Sequence, residues 1–124
     1  MITFTILGSP RFLTQPKAEH DIKEEIRQGA MAAATGKRLC IDGAVWIDIT
    51  LNIAQPKGMK QHDPTHATHN PRVDEAATVI LDALTELVFE DKSQVAVLSC
   101  LKRWCPFGEK ESTVVRIAPL KEVR

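Results

Sequence analysis

The sequence lacks the features that mark several large classes of protein. Its 124 residues include no tyrosine and only three cysteines, and an odd number of irregularly spaced cysteines does not indicate a disulfide framework. It has neither a glycine-rich phosphate loop nor a serine nucleophile motif. Its apolar runs are too short to cross a membrane, and its start does not resemble a signal peptide. We therefore expect a cytoplasmic protein that has no membrane partner.

The chain also lacks a net charge, because sixteen Lys and Arg balance sixteen Asp and Glu. Phosphate contacts need positive patches, so a zero total counts against a strongly basic nucleic-acid binder, although separate basic and acidic patches can cancel. With 44% hydrophobic and 26% charged residues, the composition is typical of a globular protein. We expect one domain over residues 1–124, with a core over about 1–118 and a charged tail at 119–124.

Hydrophobic periodicity predicts a fold that combines helices and strands. Alternating apolar residues predict strands over residues 2–7, 44–53, 94–104 and 112–118. Apolar residues at helical spacing predict helices over 17–34 and 73–88. The expected class is α/β (α+β): one mixed β-sheet of about four strands and two helices in the order β-α-β-α-β-β. A short hairpin strand is expected near 38–41, and a helix is expected to cover the sheet face that carries Trp46.

A long loop over residues 54–72 shows no hydrophobic period and contains three prolines and three histidines. Loops of this length are usually functional or disordered. The histidines at positions 62, 66 and 69 have a spacing that could bind zinc on a helix. The prolines disfavour a continuous helix, so a solvated loop is the favoured interpretation, in which a protonated His69 could contact phosphate.

Three aspartates stand out near the second predicted helix. Asp74 and Asp82 are eight residues apart and share one helix face, and Asp91 follows in the next turn. Carboxylates gathered in this way are ligands for Mg²⁺, which can activate water for phosphodiester hydrolysis. Each position is also ordinary for aspartate, as a helix cap, a solvated helix residue or a turn residue. The spacing alone favours this ordinary interpretation.

Basic residues form two further groups that could contact DNA. One group lies in or next to the long loop, and the other lies beside Trp104, which could stack on a base; their members are Lys57, Lys60, Arg72, Lys102 and Arg103. The alternative is that these side chains only solvate the edge of the sheet.

Residues 71–95 carry a recognisable pattern: Pro71-Arg72-Val73-Asp74-Glu75-Ala76, then Asp82-Ala83-Leu84, then Asp91-Lys92-Ser93-Gln94-Val95. It resembles the RusA family of Holliday junction resolvases, whose pattern is P-D-x-D-N-L-x-K, then D-A-L, then D-D-x-Q-V. The resemblance covers about residues 1–118. It implies a small homodimeric endonuclease, common in prophages and acting in DNA recombination and repair. Such an enzyme uses Mg²⁺ (or Mn²⁺) to nick four-way DNA junctions symmetrically.

The resemblance also implies roles for individual residues. Asp74 and Asp91 match catalytic, metal-binding aspartates, whereas Arg72 and Thr78 replace the first aspartate and the catalytic lysine. Two of the four catalytic positions are therefore substituted. Residues that could compensate for the missing carboxylate are Glu75, Asp82 and Asp63, and residues that could contact DNA are Lys57, Lys60, His69, Arg72, Lys102 and Arg103.

Three functions remain open from the sequence. The first is a Mg²⁺-dependent endonuclease that resolves four-way junctions as a dimer. The second is a family member that binds branched DNA without cutting it, which the substitutions at Arg72 and Thr78 suggest. The third is a dimeric binding module with no role on DNA.

Overall fold

The computed structural model describes residues 1–15, 19–34, 40–54, 71–105 and 109–123. These residues form a mixed sheet of four strands with two α-helices, as predicted. The helices are α1 (Glu19–Ala34) and α2 (Val73–Leu84), and the strands are β1 (Ile2–Leu7), β2 (Val45–Ile53), β3 (Val95–Trp104) and β4 (Ser112–Pro119). Short 3₁₀ helices lie at Pro10–Thr14, Lys92–Gln94 and Leu120–Glu122. No helix in the described ranges has the length and apolar character needed to cross a membrane.

The order of the strands fixes the direction of α2. The sheet runs β1-β4-β2-β3, with β2 and β3 parallel and the other neighbours antiparallel. Parallel neighbours need a crossover connection, and α2 lies in that connection. Consequently α2 runs antiparallel to β2 and β3. Its first turn lies at the carboxyl ends of these two strands and its last turn at their amino ends.

Both helices pack on the same face of the sheet. Alternate residues of β2, such as Ile47 and Ile49, are fully buried in one cluster with Ile26 of α1 and Ile80 of α2. Trp46 points to the opposite face and is half-buried. The helix expected over Trp46 is not found among the described residues, because the apolar stripes of both helices pack on the face that carries Ile47 and Ile49.

The helix predicted over 73–88 ends early, at Leu84. Thr85 adopts an extended conformation, and Glu86 has a φ of 69°, in the left-handed region, which turns the chain back. Phe89 then forms isolated bridges with Thr85 and with Ile41. The short hairpin strand predicted near 38–41 lies partly outside the described residues, which omit 35–39. Ile41 is described, and it pairs with Phe89 in this turn.

Candidate functional site

Two carboxylates lie side by side in the first turn of α2. Asp74 and Glu75 are exposed and follow Arg72, the residue that precedes the helix. Acidic side chains are favourable here because they face the positive end of the helix dipole. The guanidinium of Arg72 donates to Asp74 Oδ2 at 2.8 Å and lies 3.4 Å from Glu75 Oε1. One arginine therefore holds both carboxylates.

A cavity of about 360 Å³ opens beside this turn. Its walls come from α2 and from the segment after β1, and the lining residues are Leu13, Thr14, Gln15, Asp74, Glu75, Thr78 and Val79. Thr78, at the position of the family's lysine, donates its hydroxyl to the carbonyl of Asp74 at 2.9 Å. The cavity thus has acidic side chains on one wall, and Thr78 adds no positive charge to it.

The sequence patterns did not predict the wall formed by residues 13–15. Ser9 caps this segment by accepting a hydrogen bond from the amide of Arg11, and Pro10 starts the 3₁₀ helix. A serine followed by proline is a helix-start signal, so this pair could have predicted the element. Leu13 is buried and packs the segment against the core.

At the other end of α2, Asp91 and Gln94 form a capping box around the 3₁₀ helix Lys92–Gln94. The Asp91 carboxylate accepts from the amide of Ser93 at 2.9 Å. Gln94 Oε1 accepts from the amides of Glu90 and Asp91. Gln94 Nε2 donates to two carbonyls of the segment before β2, those of Ile41 and Gly43. These residues of the family pattern hold the turn together.

Asp82 belongs to the same end of α2 and forms an ion pair with Lys92. When the D-D-x-Q-V pattern is anchored on Gln94 and Val95, Lys92 stands at its second aspartate. At each end of α2, therefore, a cation occupies an acidic position of the pattern and pairs with a neighbouring carboxylate.

Within one chain, Asp74 and Asp91 lie at opposite ends of α2. The ten helical steps from Asp74 to Leu84 span about 15 Å at 1.5 Å per residue. Asp91 comes after the last turn of the helix, at the amino end of β3, whereas Asp74 lies at the carboxyl end of that strand. The structure thus does not bring together the two aspartates that the resemblance assigns to one metal.

The described residues of one chain do not fit the Mg²⁺ site that the resemblance implies. No group of three or more His, Cys, Asp or Glu among them could hold a metal ion. Asp74 and Glu75 are neighbours, but Arg72 already binds both of them, and its positive charge repels a second cation. Asp63 and the three loop histidines lie outside the described residues.

The basic candidates lie on several elements. Arg103, near the end of β3, donates through Nε to Asn52 Oδ1 at 2.6 Å, and Asn52 in turn donates to Ser112 Oγ at 3.1 Å. This network crosses three strands and fixes Arg103 at the same end of the sheet as Arg72. Lys102 lies on the helix-bearing side of β3, at the register of Leu51. Lys57, Lys60 and His69 lie outside the described residues.

Cys100, in the middle of β3, is a poor nucleophile. Burial, together with the negative charge of Asp48, raises the pKa of the Cys100 thiol to about 11. This thiol is therefore protonated at neutral pH, and it does not supply a reactive thiolate.

The sequence model of the endodeoxyribonuclease RusA family matches residues 5–118, and no curated protein sequence matches the chain significantly. The matched span runs from within β1 to within β4 and includes the acidic residues at both ends of α2. The resemblance found in the sequence is therefore confirmed, and the chain belongs to the RusA endodeoxyribonuclease family.

Proposed function

We propose that this protein recognises branched DNA, with the four-way junction as its target, and that it acts as a two-fold symmetric dimer. Membership of the RusA family over residues 5–118 supports this proposal. A four-way junction has two equivalent pairs of arms, and a symmetric dimer presents two equivalent surfaces to them.

The binding surface in this proposal is the end of the sheet where β2 and β3 finish. Arg103 lies there and is exposed, as is Arg72, whose guanidinium offsets part of the negative charge of Asp74 and Glu75. Guanidinium groups bind phosphate oxygens in a bidentate way, and the hydrogen bond to Asn52 keeps Arg103 oriented. Few charges are involved, so the affinity depends on the shape of the junction as well as on salt.

The observation that carries the choice between binding and cutting is the double contact of Arg72 with Asp74 and Glu75. These are the exposed carboxylates of the cavity, and an arginine offsets one of their two negative charges where hydrolysis in the family uses a divalent metal. Binding without hydrolysis is therefore the activity that this geometry supports best.

Mg²⁺-dependent nicking is the second candidate, and one observation favours it. α2 and β3 run in opposite directions, and Asp74 and Asp91 lie at opposite ends of this pair of elements. A site that used both aspartates would need them from different copies, and a dimer can provide this arrangement. In that case isolated subunits would be inactive.

The test uses a labelled four-way junction and a linear duplex of the same sequence. We expect the protein to shift the junction more strongly than the duplex in the presence of EDTA, and to produce no paired nicks with Mg²⁺ or Mn²⁺. Arg103→Ala should weaken the shift by roughly tenfold, the cost of about one charged contact. Lys121→Ala, exposed at the opposite end of the sheet, is the matched control.

Two results would contradict the proposal in different ways. Equal binding of junction and duplex would remove branched DNA as the target. Paired nicks that require a divalent metal would establish the second candidate, and Asp91→Asn should then abolish them. If the protein does not nick the junction, the double variant Arg72→Asp with Thr78→Lys restores the family residues at these two positions. It tests whether their substitution is the reason that cleavage is absent.

A further inference from the structure

β3 is an edge strand with an unusually apolar surface. It lies at one end of the order β1-β4-β2-β3, so no described strand pairs with its outer side. Val97, Leu98 and Leu101 are 39%, 44% and 41% exposed. Leu98 shares the helix-bearing face with Ile47, whereas Val97 and Leu101 lie on the opposite face. Both faces of the strand thus present apolar side chains to solvent.

Soluble proteins usually protect such an edge with charged residues, proline or a bulge. From Val95 to Leu101 the strand has no charge and no proline. One irregularity in its pairing with β2 occurs near Ala96, and from Val97 onward the register is regular. The segment Val97–Leu101 is therefore a regular, uncharged edge whose backbone groups can pair with another strand.

The apolar residues of this segment are placed symmetrically about Ser99. Val97 and Leu101 are two residues away on one face of the sheet, and Leu98 and Cys100 are one residue away on the other. In an antiparallel pair related by a two-fold axis at Ser99, each Val97 would face Leu101 of the second copy. Each Leu98 would face Cys100 of the second copy. Apolar cross-strand pairs of this kind stabilise sheets.

The two ends of β3 are also complementary in charge. Lys102 and Arg103 lie at its carboxyl end, and Glu90 and Asp91 precede its amino end. With the two-fold axis at Ser99, Arg103 of one copy lies opposite Val95 of the other, four residues after Asp91. The basic end of each strand therefore lies next to the acidic segment that precedes the other strand; Lys92 in that segment pairs with Asp82. A parallel arrangement would instead place like charges together.

We propose that β3 is the docking surface for a second copy of this chain, which pairs antiparallel to it with Ser99 on the two-fold axis. The two four-stranded sheets then form one continuous sheet. This inference rests on the proposed function for the existence of a dimer and adds where the copies meet. It also brings the acidic segment before β3 of one copy to the end of the sheet where α2 of the other begins.

The first test measures the mass of the protein in solution by sedimentation equilibrium. The unmodified protein should be a dimer. Leu101→Lys should raise the dimer dissociation constant roughly a hundredfold, because it places a charge in two symmetry-related apolar contacts. Leu7→Lys is the matched control, because Leu7 is 78% exposed but ends β1, the other edge strand, and it should leave the dimer intact.

The second test needs no disruptive substitution. Residues directly opposite each other in an antiparallel pair have Cα atoms about 4.5–5.5 Å apart, within the range that a disulfide bridges. Ser99→Cys should therefore form a disulfide-linked dimer on mild oxidation, well beyond the yield of the unmodified chain. Thr5→Cys, exposed on the edge strand β1, should show no such gain.

The outcomes separate this inference from the proposed function. A monomeric protein, or a dimer that neither Leu101→Lys nor Ser99→Cys affects as described, overturns the β3 interface. If that protein still prefers junctions, the proposed target stands. A dimer that responds to both variants but binds junction and duplex equally supports the interface and removes the target.

Discussion

The two ends of α2 carry similar residues but use them differently. At the amino end, Asp74 and Glu75 are exposed and pair with an exposed arginine beside a cavity. At the carboxyl end, Asp91 caps a 3₁₀ helix and Gln94 joins that turn to the segment before β2. At the second end Asp91 helps to hold the turn, whereas at the first end Asp74 and Glu75 make only exposed ion pairs and a favourable interaction with the helix dipole.

The two halves of the family pattern also differ in how many of its residues the chain retains. The half that includes Asp82, Asp91 and Gln94 departs from the pattern only at Lys92, and its residues make the hydrogen bonds and the ion pair that fix the turn. The half at the start of α2 departs from the pattern at the exposed residues Arg72, Glu75 and Thr78 and at the buried residue Ala76. In this chain the pattern thus combines residues that hold a turn with residues that line a cavity.

The largest effect is expected for Gln94→Ala. Its side chain accepts two hydrogen bonds and donates two, and each is worth about 1 kcal/mol net. Three of the four bonds are exposed to solvent and contribute less, so we expect the free energy of unfolding to fall by about 2–3 kcal/mol in chemical denaturation. Ser93→Ala, in the same turn but exposed, should change it by less than about 0.5 kcal/mol. Equal effects of the two variants would show that the Gln94 contacts do not hold the turn.

The next effect is expected at Asp91, where two variants separate the contribution of the cap to stability from that of the negative charge. Asp91→Ala removes the acceptor for Ser93 and should cost about 1 kcal/mol, whereas Asp91→Asn keeps a good cap and should cost little. Thermal unfolding of both variants measures the difference. A large loss for Asp91→Asn would mean that the negative charge, and not the cap, matters for stability.

The strands of this fold were predictable because burial alternates along them. In β2, for example, Ile47 and Ile49 are buried and Trp46 and Asp48 are not, and this alternation is visible in the sequence. The end of α2 was not predictable in this way. Val88 and Phe89 are fully buried in the turn after the helix, so their apolar character continued the helical period beyond Leu84 although the backbone had already turned.

The candidate site was only partly predictable for a different reason. The family pattern identified Asp74 and Asp91, but their separation depends on the parallel pairing of β2 and β3, which short-range patterns do not specify. The contact of Arg72 with two carboxylates depends on the conformation of one long side chain. The wall of the cavity at Leu13 comes from a segment about sixty residues away in the chain.

A smaller effect is expected from the ion pair of Asp82 with Lys92. Both side chains are partly exposed, at 32% and 50%, and pairs of this kind contribute about 0.5 kcal/mol and weaken in salt. A double-mutant cycle with Asp82→Asn and Lys92→Met should give a coupling of this size at low salt and less at high salt. A coupling that salt does not change would indicate that the contact is shielded from solvent, contrary to the partial exposure of both side chains.

The smallest effect on stability is expected for Arg72→Ala, and it is the variant that tests the comparison most directly. Arg72 is 67% exposed and makes no capping hydrogen bond at the start of α2, so the free energy of unfolding should change by less than about 0.5 kcal/mol. Its removal leaves Asp74 and Glu75 without their cation. Because a ligand of the native state raises Tm, millimolar Mn²⁺ should then stabilise Arg72→Ala more than the unmodified protein. Arg72→Lys, which keeps the positive charge, should behave like the unmodified protein. An equal response of all three would mean that Arg72 does not control access of a cation to these carboxylates.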